Sequence, residues 1–140
     1  MVRLRGLATV SVSLSLVFLS AGCSTTMPDR EVRMTRSYVY YLDGAGGGGL
    51  ISNWGRGLRQ GFLDAGYDGA GEMFRWETGW GVIADQDSSV EYKRGKAAEC
   101  AEQIRQYKQK YPNAPVTLIG LSAGTAVVTF TLESMASREK

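Results

Sequence analysis

The apolar positions change period several times along the chain. Residues 7–19 form an almost unbroken apolar stretch, and residues 24–36 are polar and charged. Residues 37–42, "SYVYYL", are dense in aromatic and β-branched side chains without clean alternation. That pattern predicts a strand buried on both faces. Helical spacing follows, with Ile51, Trp54, Leu58, Phe62 and Leu63 on one face. Ser52 or Asn53 is placed to cap this helix and Gly66 to end it, while Gly55, Gly57 and Gly61 weaken it by up to about 1 kcal/mol each. Residues 72–77 predict a second strand and residues 78–89 a long loop. Over residues 91–111, Ala97, Cys100, Ile104, Tyr107 and Tyr111 make one apolar stripe on an otherwise charged helix, which Pro112 and Asn113 break. Val116–Gly120 predicts a third strand and residues 125–136 a third helix. Strands alternating with helices give an α/β fold, a parallel sheet with helices on both faces. There is no internal repeat.

The chain has 140 residues and a net charge of +2, which suits one small domain and gives no sign of a nucleic-acid partner. Its beginning has the layout of an export signal. Arg3 and Arg5 precede the apolar stretch, which is shorter than the roughly 20 apolar residues a membrane-spanning helix needs. The stretch ends in "LSAGC", and this run of small residues before Cys23 resembles the lipobox of bacterial lipoproteins. The resemblance implies a signal peptide over residues 1–22, cleavage before Cys23 and lipidation of its thiol. Residues 23–36 would then form a tether, with the start of an edge strand over residues 31–36 as the alternative. Ser20 stands where that family usually has Leu. Ser24, rather than Asp, after the cysteine implies the outer membrane, with the domain facing the periplasm. Ordinary secretion with cleavage at "SAG", or a short membrane anchor, are the alternatives. With Cys23 acylated, Cys100 is left without an internal disulfide partner and reads as core filler.

The stretch "PVTLIGLSAGTAVV" carries the candidate chemistry. It sets Ser122 between Gly120 and Gly124, with a predicted strand before and a predicted helix after. This is the context a nucleophile elbow requires. A plainer reading is a strand–turn–helix whose small residues only permit close packing. Acyl transfer also needs two donors for the tetrahedral oxyanion. One is the N–H of the residue after the nucleophile, Ala123, and the other comes from the loop after an earlier strand. The run "LDGAGGGG" follows the first strand. Together these motifs resemble the α/β-hydrolase family over residues 37–136. The resemblance implies Ser122 as nucleophile, Ala123 with Ala45 or Gly46 as oxyanion donors, and an ester or lipid substrate without cofactor or metal. Asp43 stands where that family has His or Pro. The same glycines at positions 44–49 fit G-x-G-x-x-G, so a dinucleotide-binding loop with Asp64 or Asp68 on the ribose is a rival. A phosphate-binding P-loop is excluded because no Gly-Lys-Ser/Thr follows. A flexible linker is disfavoured by the elements on either side.

The sequence contains no histidine. In the family the acid and the histidine follow the serine in chain order, and Asp43, Asp85 and Asp87 all precede it. The expectation is therefore a partial α/β-hydrolase domain over residues 37–140, truncated after the elbow helix. It would be a fragment, or a shortened gene product, of a protein about twice as long. On this reading the chain is a lipid-anchored serine esterase or lipase, inactive as the fragment. A non-catalytic envelope lipoprotein is the alternative.

Overall fold

The computed structural model describes residues 27–47 and 54–137. The elements run α1 (Arg30–Met34), β1 (Tyr38–Leu42), α2 (Trp54–Asp64), β2 (Ala70–Met73), α3 (Val82–Gln86), α4 (Val90–Lys110), β3 (Val116–Gly120) and α5 (Gly124–Ala136). The strands form one parallel sheet in the order β2-β1-β3. Tyr38 pairs with Ala70 on one side and with Val116 on the other. The α/β character expected from the alternation is present, with helices on both faces.

All five residues of β1 are buried, which is why its sequence lacks alternation. Tyr38, Tyr40 and Leu42 face Ala97, Cys100, Ile104 and Tyr107 of α4 and Val127 of α5 in one core. The α4 stripe is thus a packing stripe, as its spacing predicts. The opposite face receives α2. A Cβ on Gly55 would lie 3.0 Å from Tyr41 and 3.2 Å from the Met73 sulfur, so this glycine lets the helix sit close. Gly66, at φ +72°, ends α2. Its N–H bonds to Leu63 O and the Tyr67 N–H bonds to Phe62 O, both of which satisfy terminal carbonyls. Ser89 caps α4 by accepting the Tyr92 N–H at 3.1 Å.

Three expectations differ from the fold. β2 begins at Ala70, two residues before the predicted strand, and Phe74 and Trp76 lie beyond its end as buried core. Ala and Gly carry little strand signal, but small residues at Ala70 and Gly71 fit against β1, where a Cβ on Gly71 already comes within 3.1 Å of Val39 O. The predicted loop over residues 78–89 contains the single-turn helix α3. The segment read as a tether is packed from Met27 onward. Met27 is buried, α1 follows, and Arg30 bonds Glu72 at 3.1 Å and the Tyr38 hydroxyl. The apolar stretch, Cys23 and the residues Ile51, Ser52 and Asn53 lie outside the described residues. No helix among the described residues is long and apolar enough to cross a membrane.

Candidate active site

The chain leaves β1 for β2 on one side and returns to β3 on the other. The loops after β1 and β3 therefore diverge from neighbouring strand ends, which is the place where open parallel sheets bind ligands. The Gly44 loop and Ser122 are the loops in question. The Leu121 N–H donates to Leu42 O at 2.9 Å, the last bond of the ladder. One residue later the chain turns sharply. Ser122 has φ +48° and is exposed. A non-glycine residue in the left-handed region carries about 1–2 kcal/mol of backbone strain. Asp29 is the other such residue among those described, and Asp tolerates this conformation far better than Ser does.

Two glycines allow the turn. A Cβ on Gly120 would fall 2.8 Å from Thr125 Cα, and one on Gly124 would fall 2.3 Å from Asp43 O and 2.6 Å from Leu42 O. Gly124 lets the start of α5 close onto the end of β1, which brings the two loops together. A Cβ on Gly44 would stand 3.3 Å from Ser122 Cβ and 3.9 Å from its Oγ. The serine and the glycine loop, 78 residues apart in the numbering, are thus immediate neighbours.

The backbone donors around Ser122 are unequally free. A helix start ordinarily leaves its first N–H groups open, but the N–H groups of Gly124, Thr125 and Ala126 turn back to the carbonyls of Leu121, Ser122 and Ala123. The Ala123 N–H has no acceptor among the described residues. In the other loop, the Gly44 N–H donates to Asp43 Oδ1 at 2.8 Å and the Gly46 N–H to Asp85 Oδ2 at 2.8 Å. The Ala45 N–H between them has no acceptor among the described residues. Of the two donors considered for this loop, Ala45 is the free one and Gly46 is engaged. Ser122 Oγ has no hydrogen-bond partner among the described residues.

Carboxylates underlie the loop. Asp43 is buried beneath Gly47, and its carbonyl accepts the Trp76 indole N–H at 2.8 Å. The Asp85 carboxyl is pushed up by burial, but bonds from Thr78 and the Gly46 N–H outweigh this and hold it below its ordinary value. Glu77 is pushed up by burial and by the nearby Asp85 and Asp43 charges. Its Oε1 is buried without a partner among the described residues. No group of three ligating side chains among the described residues is placed to hold a metal ion. Asp64 ends α2 and Asp68 precedes β2, where it pairs with Arg36 at 3.4 Å. Both lie at the end of the sheet away from the glycine loop. A cavity of about 320 Å³ also opens at that end, beside Arg30, Tyr38, Glu72 and Tyr107, and neither Ser122 nor the glycine loop lines it.

Comparisons of the chain with protein-family models, with curated proteins and with solved structures find no match.

Proposed function

We propose that the protein is a serine hydrolase of the α/β-hydrolase kind, acting on carboxylic esters, lipids among them. Ser122 is its nucleophile, and the Ala123 and Ala45 N–H groups hold the oxyanion. The observation that carries this reading is the left-handed backbone of Ser122, exposed at the end of β3 beside Gly44. Close packing alone explains Gly120 and Gly124. It does not explain a strained and exposed serine between them, which is what a nucleophile elbow requires.

In the reaction, Ser122 Oγ bonds to the acyl carbon while the carbonyl electron pair moves onto oxygen, where two donors stabilise it. Collapse expels the alcohol and leaves an acyl-serine, which water then hydrolyses. The hydroxyl proton needs a base, and the sequence holds no histidine. The reading therefore requires a base and an orienting acid supplied from outside these residues, as the family's chain order implies. A lipid on Cys23 places the site at the periplasmic surface of the outer membrane, next to acyl lipids.

The dinucleotide reading needs the loop N–H groups for a pyrophosphate. Those of Gly44 and Gly46 already serve carboxylates, and Asp64 and Asp68 are at the wrong end of the sheet. The absence of histidine from the sequence does favour a second reading, a non-catalytic envelope lipoprotein that retains the elbow as a relic. Hydrolysis of p-nitrophenyl acyl esters by the full-length protein extracted from membranes separates the two. Activity lost in Ser122→Ala supports the hydrolase, and equal activity in both forms ends it.

A further inference from the structure

α3 inverts the usual arrangement of a surface helix. It exposes Val82 (57%) and Ile83 (78%) while burying Asp85 (1%). Hiding a carboxylate is costly unless hydrogen bonds replace its water. Three donors do so. Thr78 gives its N–H at 2.7 Å and its hydroxyl to Oδ1, and Gly46 gives its N–H to Oδ2 at 2.8 Å. The bonds of this carboxylate therefore reach from α3 to the glycine loop 39 residues earlier. The same helix also grips Gly46 by contact. Gly46 has φ +77°, and a Cβ there would lie 2.4 Å from Val82 Cγ2.

The geometry points to Asp85 as a positioning residue for the glycine loop. By holding the Gly46 N–H it fixes the turn that leaves the Ala45 N–H open to an oxyanion on Ser122. This rests on the hydrolase reading. The N–H groups on either side of Ala45 are both turned to carboxylates, Asp43 and Asp85. Without the second anchor the turn keeps only the Gly47 N–H bond to Gly44 O and the Val82 contact, which do not fix the tilt of the peptides on either side of Ala45. Asp85 touches no reacting atom. Its effect passes through the loop backbone, where a preorganised donor is worth most because it need not reorganise during reaction.

The test combines amide hydrogen exchange with acylation of the full-length protein by p-nitrophenyl acetate. In the unsubstituted protein the Gly46 amide is protected, and exchange as fast as an open loop overturns the latch without any variant. In Asp85→Ala, which leaves no acceptor, Gly46 exchange rises on the order of tenfold or more while the β1 amides stay protected. Acylation of Ser122 slows about 10- to 100-fold, approaching the loss of one oxyanion donor, with apparent probe affinity little changed. Thr78→Val removes one of three bonds but not the Gly46 bond, and keeps most of the rate. Unchanged Gly46 exchange in Asp85→Ala, or faster exchange with an unchanged acylation rate, overturns the positioning role. Should the unsubstituted protein not be acylated at all, the hydrolase reading falls and takes the positioning role with it. Gly46 exchange requires no reaction, so that outcome is distinguishable from failure of the latch.

Discussion

At the scale of single residues, Ser122 offers a test that separates strain from packing. Its φ of +48° suits glycine. Ser122→Gly relieves about 1–2 kcal/mol of strain and costs about 0.5–1 kcal/mol in unfolded-state entropy. The expected result is a gain of up to about 1.5 kcal/mol in urea unfolding together with complete loss of esterase activity. Ser122→Ala keeps the strain, so it loses activity at unchanged stability. The carboxyls under the loop give opposite pH dependences. Asp85 has a lowered folded pKa, so its stabilisation is present above the unfolded value and disappears as pH falls through the folded one. Glu77 has a raised folded pKa, so its contribution is intact in acid and is lost as pH rises through that value. Glu77→Gln should therefore stabilise the protein at pH 7 and lose that advantage towards pH 4, as thermal melting across pH would show. Cys100 is fully buried, and burial raises its thiol to about 11. It should resist a thiol reagent in the native state and react only on unfolding. The sharp turn at Ser122, its flanking glycines and the core role of Cys100 are legible in the sequence because each rests on neighbouring residues. Asp85 was not, since nothing local links it to a glycine 39 positions away.

At the scale of elements, legibility followed length and partner. α4 is 21 residues long, enough for its stripe to repeat several times. β1, β3 and α5 carried dense apolar runs with clear punctuation. α1 and α3 have five residues each, too few for any period to show in the sequence. The start of β2 is not legible because its first residues are selected by pairing with β1 and not by their own propensity. The glycines of α2 and α5 look alike in sequence but differ in the fold. Gly57 and Gly61 have nothing within 4 Å of an added Cβ, whereas Gly124 meets Asp43 O at 2.3 Å. Gly57→Ala and Gly61→Ala should each stabilise by about 0.5–1 kcal/mol. Gly124→Ala should destabilise by about 2–3 kcal/mol, an overpacking cost, and should lower activity by pushing α5 off β1. Denaturant unfolding of the three variants checks the contrast.

At the scale of the whole molecule, the sheet is buried at its centre and open at its margin. β3 pairs with β1 on one side, no strand flanks its other side among the described residues, and its residues are only half-buried or exposed. Leu121 and Leu132 are exposed nearby at 38% and 55%. An unpaired parallel edge with apolar neighbours is a template for association. The 140-residue chain by itself is therefore expected to self-associate at micromolar concentration, and sedimentation showing only monomer would contradict this. The fold class was legible because alternation of strands and helices constrains topology strongly. The meeting of the two loops was legible only as an expectation. It depends on β1 and β3 becoming neighbours, which the order of elements alone does not fix.

The central claim is that Ser122 is a nucleophile. The most direct test is to label the full-length protein with a fluorophosphonate probe and to locate the adduct by peptide mass spectrometry. The account predicts a single adduct on Ser122 that disappears in Ser122→Ala. No adduct, or one on another residue that survives Ser122→Ala, would contradict it.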